Sequence, residues 1–524
     1  MSARGRGDTA DMRLVPAIAA LASTLLSVGA SAALDRPNIV LVLVDDLGQQ
    51  DVSVPMLPEP SALNARFRTP NLEKLAARGV RFSNAYAAAP VCTPSRTAIL
   101  TGQSPARTGI TYWTLAKDTD QSSRHPRLDP PAWTVNGAQP APTHLPELLR
   151  RAGYATIHAG KAHFGAGGTD GADPRNLGFE TNIAGHAAGA PGSFLARDHF
   201  KDAVRKGRGA VAPDAAPPSV WDVPGLEKYH GTDAWLDDAI AREACDAVSA
   251  AVASGRPFFL SYCPYGVHTP IMEDARFAAA YPELDPTERA YATMVAAVDD
   301  ALGKIVARCE SLGVLDSTIV VFTSDNGGLS AHGRGAAPDG SKAHRHNAPL
   351  RSGKGSAYEG GLRVPLVVAG PGVRARGGPV DAPVVGTDLY PTFLAFAGVD
   401  RDPARRCDGV DLRGLLAGGE APAERTILFH QPHAWGPTGP GIEPFSAIRR
   451  GDWKLVWFHD AGRTGAPYEL YDVARDHGET QDLAARDPAR LAAMAEALRE
   501  ALVDAQARRS IDRATGRAAE PPAP

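Results

Sequence analysis

Asp45 and Asp46 stand side by side, directly after an apolar run. Two adjacent carboxylates repel unless a cation joins them or water solvates them as an ordinary turn. Asp325-Asn326 follows another apolar run and adds a carboxylate and an amide oxygen. Together these groups make an all-oxygen donor set, which suits a hard cation such as Ca²⁺ or Mg²⁺. No Cys/His cluster has zinc spacing. Cys92 and Arg96 lie four residues apart at the start of an apolar stretch, within Pro-Val-Cys-Thr-Pro-Ser-Arg. A loop entering a helix there would turn backbone N–H groups and the positive helix end toward an anion. Cys92 then reads either as an activated nucleophile or as a buried structural cysteine. Lys161 and His163 follow a third apolar run, and His268 follows a fourth. Lys354 sits in a loop that also carries His332, His344 and His346. Taken singly, these lysines read as surface charges and these histidines as structural groups. Asp299-Asp300, inside a helical pattern, reads as a helix face.

Such groups need a scaffold that gathers them. The apolar runs 39–44, 155–159, 258–263, 319–323 and 366–369 read as buried parallel strands. Helical patterns lie between them. Thr69-Pro70 followed by Leu72, Leu75 and Gly79 gives an N-cap, a proline at the first helical position and a glycine C-cap. Residues 145–153 and 287–313 read as helices too. The expected fold is α/β: a large, mixed, mostly parallel sheet sandwiched by helices. Open sheets of this kind bind ligands outside the carboxyl ends of their strands. Four run ends deliver polar groups to that one rim. Residues 111–142 and 165–235 read as insertions over the rim rather than core. After residue 420 the runs 426–429, 446–448, 454–458 and 468–471 predict a small antiparallel sheet. A helix over 488–508 follows, apolar at Leu491, Met494, Leu498 and Leu502. The expected organisation is a signal peptide (1–33), a catalytic α/β domain (34–420), a smaller C-terminal α+β domain (421–508) and a disordered tail (509–524).

Composition narrows the function. The chain has 524 residues, 44% of them hydrophobic, and a net charge of −4. That balance gives no electrostatic case for nucleic acid. Any anion must be held by a local cluster of cations. Arg4, Arg6 and Arg13 precede an apolar run to residue 29 and a small-residue site at Ala30-Ser31-Ala32, as in a secretory signal. The expected location is exported, either periplasmic or secreted, with no stable membrane span. Five cysteines are present, an odd number, so one is left over in an oxidising compartment. Cys245 and Cys309 read either as a pair or as core packing.

Cys92-Thr93-Pro94-Ser95-Arg96, followed by Leu100-Thr101-Gly102, resembles the signature of type I sulfatases. These are formylglycine-dependent, arylsulfatase-like enzymes of the alkaline phosphatase superfamily. Stretches at 38–48, 152–163, 324–328, 354–365, 447–455 and 468–483 extend the resemblance over most of the chain. The resemblance implies hydrolysis of sulfate esters, on a sulfated small molecule or glycan. It implies that a formylglycine-generating or sulfatase-maturating enzyme oxidises Cys92 to formylglycine. It implies Ca²⁺, rather than Mg²⁺, on Asp45, Asp46, Asp325, Asn326 and the modified Cys92. Arg96 would steady the hydrated aldehyde, and Lys161 and Lys354 would hold sulfate oxygens. His268 would protonate the leaving oxygen, and His163 would take a proton from the hydrate. Arg351 is the neighbour most easily confused with Lys354. His430, His433 and Trp435, after the first strand of the C-terminal domain, are candidates to touch the leaving group. Phosphonate monoester and phosphodiester hydrolases of the same superfamily can share the cysteine signature. A non-catalytic sulfated-glycan-binding relative would usually lack a metal or nucleophile residue, and here every matched position is present.

Overall fold

Asn38–Val44 forms strand β1, and all seven of its residues are buried. Val40, Val42 and Val44 pack into one core, while Ile39, Leu41 and Leu43 pack into a second core on the opposite face. That division follows from the two-residue period of a strand, and it requires layers on both sides. The computed structural model describes Gly5 and residues 36–202, 218–337, 340–341, 343–463 and 465–523. The expected signal segment therefore lies, Gly5 apart, outside the described residues. Among those described, no helix is long and apolar enough to cross a membrane.

Besides a short parallel pair, Ala85–Tyr86 with Val384–Val385, the other strands are β2 (Gly79–Arg81), β3 (Leu128–Asp129), β4 (Ala155–Gly160), β5 (Thr181–Ile183), β6 (Phe258–Cys263), β7 (Thr318–Ser324), β8 (Leu366–Ala369), β9 (Thr426–Gln431), β10 (Phe445–Arg450), β11 (Trp453–Phe458), β12 (Tyr468–Asp472) and β13 (Ile511–Asp512). The large sheet has the order β2-β8-β7-β1-β6-β4-β5. β1 pairs parallel with β6 and β7, and β4 pairs parallel with β5 and β6. β8 departs from the expected parallel direction and runs antiparallel to both β7 and β2. A strand buried on both faces shows the same apolar run in either direction, so its sequence marked burial and not orientation. The consequence is functional. The amino end of β8 sits at the rim, so the loop leading into it returns Lys354 to the site.

Helices α1 (Pro70–Ala77), α4 (Leu236–Ala253) and α5 (Pro286–Ser311) cover the first core. α3 (Leu145–Arg151) and α6 (Leu389–Phe396) cover the second, where Ile99 and Leu100 of α2 (Cys92–Thr101) also pack. The expected cap of α1 is replaced. Thr69 makes no side-chain cap bond. Instead Asp299 of α5 accepts from the N–H groups of Asn71 and Leu72 at 3.0 and 2.8 Å. Asp299 is thus a buried cap for a neighbouring helix, not part of a solvated face. Gly79 begins β2 rather than ending α1.

The insertions are not merely surface. Tyr112, Phe194, Phe200 and Trp235 are buried, and the last three belong to the first core. All five cysteines are free, and Cys245 and Cys309 are packed in that core.

β9-β10-β11-β12 form the expected antiparallel sheet. One face, with Phe429, Ala447, Val456 and Phe458, packs on Tyr86, Ala98, Tyr358 and Leu362 of the large unit. The other, with Ile448, Leu455 and Leu470, packs on Met494, Leu498 and Leu502 of α7 (Pro488–Asp504). The tail expected to be disordered is ordered. β13 pairs with β3, Ser510 is buried against the carbonyl of Pro432, and Tyr468 donates to the carbonyl of Pro522. A polar, Ala/Arg-rich composition does not record such long-range anchoring.

Lys454 of β11 ties the two units together. Its ammonium bonds Glu359 at 2.9 Å and Glu479 at 2.8 Å, and all three groups are buried. Removing one partner of a buried ion cluster leaves uncompensated charge, at a cost of about 3–5 kcal/mol. Lys454→Ala is therefore expected to lower unfolding stability by about that amount in urea titrations. An unchanged midpoint would refute the tie.

Candidate active site

The rim collects the side chains that the sequence singled out. Asp45 and Asp46 leave β1, Lys161 and His163 leave β4, His268 follows β6, and Asp325 and Asn326 leave β7. Cys92 is the first residue of α2, whose ten residues are all buried, and Gly102 ends the helix in a left-handed conformation. This buried helix start brings Cys92 to the centre of the rim.

The distances are short. Cys92 Sγ lies 3.7 Å from Asp45 Oδ1 and 3.5 Å from Lys354 Nζ. Lys161 Nζ donates to Asp45 Oδ2 at 2.6 Å, and Lys354 Nζ donates to Asp46 Oδ2 at 2.8 Å. Arg96 Nε donates to Asp325 Oδ2 at 2.7 Å, and its Nη1 donates to the carbonyl of Lys161 at 2.9 Å. Among the described residues its Nη2 has no hydrogen-bond partner, and it sits 4.0 Å from Asp45 Oδ1. The N–H of Asp46 donates to Asp325 Oδ1 at 3.2 Å, and Asn326 Nδ2 donates to Asp46 Oδ1 at 2.8 Å. Arg351 points elsewhere, to Tyr471 Oη and the carbonyl of Glu479.

Burial opposes ionisation of these acids, and the neighbouring cations offset it unequally. Burial, with Asp325 and Asp46 adding repulsion, pushes the Asp45 carboxyl up to about 8 against the pull of Lys161. Burial also opposes ionisation of Asp46, but Lys354 and His268 outweigh it and hold that carboxyl below its usual range. Burial pushes the Cys92 thiol up to about 12, despite Lys161 and Lys354 nearby. As a plain cysteine it is therefore a protonated thiol and a poor nucleophile.

Ligand atoms from Asp45, Asp46, Cys92 and His268 lie within 4.8 Å of one another. Asn326 Oδ1 is buried without a hydrogen-bond partner. A buried, unpartnered oxygen on a residue that adjoins Asp46 fits a hard cation, which would supply the missing interaction. The residues therefore fit a metal of the calcium type.

Two site residues carry backbone strain. Asp46 has φ of 59° and His163 has φ of 50°, in the left-handed region. Such positions cost on the order of 1–3 kcal/mol each and persist where surrounding structure enforces them. His163 is held by both insertions. Its Nε2 meets the carbonyl of Thr114 at 2.8 Å, and Gly189 packs flat against the ring. A carbonyl only accepts, so Nε2 carries the proton and Nδ1 is left as a buried, unpartnered acceptor. Burial, then Lys161, keeps this ring neutral by lowering its pKa well below the usual value.

The structure thus brings Asp45, Asp46, Cys92, Arg96, Lys161, His268, Asp325, Asn326 and Lys354 into one cluster, with His163 on the same rim. Of the three C-terminal candidates, His430 turns away to Ser446 and the carbonyl of Arg508. His433 is clamped between Thr111 and Ser122. Only Trp435 reaches the rim, 5.9 Å from Lys354 Nζ. Thr114 and Gly189 had no motif to mark them. Each acts through backbone, which a side-chain pattern does not reveal.

The site gathers buried carboxylates, lysines, an arginine and a cysteine at the carboxyl ends of the strands of a doubly covered sheet. The family model described as Sulfatase matches residues 37–399. The model described as N-sulphoglucosamine sulphohydrolase, C-terminal, matches residues 353–508. Human N-acetylgalactosamine-6-sulfatase is 33% identical over 415 residues, covering 77% of this chain and 70% of that protein. Human arylsulfatase A is 30% identical over 498 residues, covering 88% and 86%. The crystal structure of Ps i-CgsB matches with a TM-score of 0.70 at 28% identity, over 90% of this chain and 94% of that one. A second structure of it holds k-i-k-neocarrahexaose. The chain belongs to the sulfatase family and is a sulfuric ester hydrolase.

A methyl group on Gly189 would lie 2.4 Å from His163 Cε1 and 2.5 Å from Nδ1. Gly189→Ala is expected to push the ring aside and cut sulfate release from an aryl sulfate by at least about tenfold, the scale of general acid–base contributions. Overpacking a buried site also costs on the order of 1–3 kcal/mol, so turnover is compared at a temperature where the variant remains folded. Wild-type turnover in this variant would remove His163 from the chemistry.

Proposed function

We propose that the chain hydrolyses sulfate esters of saccharides, using formylglycine made from Cys92 and a calcium ion held by Asp45, Asp46, Asp325 and Asn326. The observation that carries this reading is the buried meeting of Cys92 with Asp45 and Lys354, at 3.7 and 3.5 Å. A thiol pushed up to about 12 has little use as a thiol nucleophile, so chemical conversion gives this position a role. When bound, calcium supplies Lewis-acid charge beside the sulfuryl oxygens, and the hydrated aldehyde supplies the attacking hydroxyl.

The chain's own residues do the rest. Lys161 and Lys354 turn from Asp45 and Asp46 to the sulfate oxygens and offset their charge in a site closed to water. Arg96 braces Asp325 and the Lys161 backbone, and its unpartnered Nη2 remains for the hydroxyl on residue 92. His163 accepts a proton at Nδ1. His268 donates Nδ1–H to the carbonyl of Thr269 at 2.9 Å, leaving Nε2 3.5 Å from Asp46 Oδ2. Burial and Lys354 favour its neutral ring, whereas Asp46 favours the protonated one. A bound sulfate ester adds negative charge beside the ring and shifts it toward the protonated form, which can hand Nε2–H to the leaving oxygen.

A saccharide substrate is supported by the relatives, one named for N-acetylgalactosamine-6-sulfate and one structure bound to a neocarrahexaose. The charged and apolar N-terminal segment supports an exported enzyme, periplasmic or secreted. A formylglycine-generating or sulfatase-maturating enzyme is the partner that this chemistry requires.

The test is the mass of peptide 82–96 from the natively produced protein. The expected peptide has lost H₂S and gained one oxygen at Cys92. An unmodified cysteine in an active preparation would rule the nucleophile out. Cys92→Ser, by the same account, abolishes turnover while leaving the fold intact.

A further inference from the structure

Beyond the residues that handle sulfate, the rim has a second set of groups with no internal task. His332 lies in the turn Ala331–Arg334, after β7. Both of its ring nitrogens are shielded from solvent and neither has a hydrogen-bond partner among the described residues. Burial normally demands partners for such atoms, so two orphans on one ring mark a place where a ligand completes the bonding. The ring lies 5.0 Å from Trp435, nearly perpendicular to it at 77°. Trp435 in turn lies 5.9 Å from Lys354 Nζ, so the pair stands beside the cationic loop of the rim.

Trp435 is built in from the other unit. Its approach is fixed by His433, held between Thr111 Oγ1 and Ser122 Oγ at 2.8 Å each. The carbonyl of Ala434 accepts from Ser123 N–H at 3.0 Å and from Tyr112 Oη at 3.3 Å. One side of the indole presses on Gly355, where a Cβ would sit 2.0 Å from Trp435 Cε3. The residue after Lys354 is therefore a glycine for a steric reason, and its φ of 83° adds a conformational one. The indole remains partly exposed.

An aryl or alkyl leaving group would use the indole face and leave both His332 nitrogens bare. A pyranose uses both, because it offers an apolar C–H face for the indole and hydroxyls for the imidazole. We propose that Trp435 and His332 form the subsite that selects a sugar as the leaving group, Trp435 by stacking and His332 by hydrogen bonds to ring hydroxyls. The inference rests on the sulfatase reading and names its specificity residues.

The experiment compares kcat/KM on a panel of hexose and N-acetylhexosamine monosulfates with kcat/KM on 4-nitrophenyl sulfate. It uses the matured full-length enzyme and the variants Trp435→Ala, Trp435→Phe, His332→Ala and His332→Gln. Each alanine variant is expected to lose about tenfold more on the best saccharide than on the aryl ester, the value of one good polar or stacking contact. Trp435→Phe should recover most of the loss because it keeps an aromatic face. Trp435→Ala also relaxes the Lys354 loop, and the aryl ester reads that effect separately. Equal losses on the two substrate classes, or none on saccharides, overturn the subsite. Wild-type cleavage of the aryl ester but of no saccharide overturns it together with the saccharide part of the proposed function, while leaving sulfate ester hydrolysis intact. Failure to cleave either class overturns the reading and the subsite together.

Discussion

Asp45, Asp46 and Asp325 are buried within one small volume, and their mutual repulsion governs the architecture around them. Carboxylates leave water only where positive charge or hydrogen bonds replace it. Here Lys161, Lys354 and Arg96 each take one carboxylate, at 2.6–2.8 Å. Two of these cations, Lys161 and Lys354, are the ones proposed to hold the sulfate oxygens. For a sulfate ester, a monoanion, and a divalent cation to bind here together, partners would have to exchange: the cation would take the carboxylates and free the lysines.

Four strand ends and one helix start have to meet for this to happen, and none is near another in sequence. The parallel core of the sheet sets β1, β4, β6 and β7 in register so that their carboxyl ends share one rim. The reversal of β8 closes the circuit by returning Lys354 from the opposite direction. The C-terminal sheet then covers this loop. Lys454 grips Glu359 a few residues beyond Lys354, and Trp435 presses on Gly355. The smaller unit is thus a wall of the pocket and a brace for its cationic loop.

Much of this was legible in the sequence because strands that are buried on both faces are written as short apolar runs. β1, β4, β6 and β7 were visible in that way, and the polar residues directly after them marked the rim. The Cys92–Arg96 motif marked the buried helix start at the centre of the rim. Other features left no local trace. The direction of β8 was hidden because burial on both faces looks the same either way. The Asp299 cap depends on a helix more than two hundred residues away, so its pair read as a solvated face. The order of the tail rests on β13 pairing with β3 and on buried Ser510, contacts that composition cannot encode. The roles of Thr114 and Gly189 are backbone roles. His332 was visible only as a histidine in a long loop, and its empty nitrogens emerge once the fold sets Trp435 beside it.

The central claim is that these acids form a cation site, and the most direct measurement is the thermal midpoint of chelator-treated enzyme titrated with Ca²⁺. Binding to the folded state alone stabilises by about 2.7 kcal/mol when the free ion reaches a hundred times its Kd. The account predicts a midpoint that climbs with calcium and saturates, and that stays flat in Asp325→Ala. A midpoint indifferent to calcium in the unaltered enzyme would contradict it.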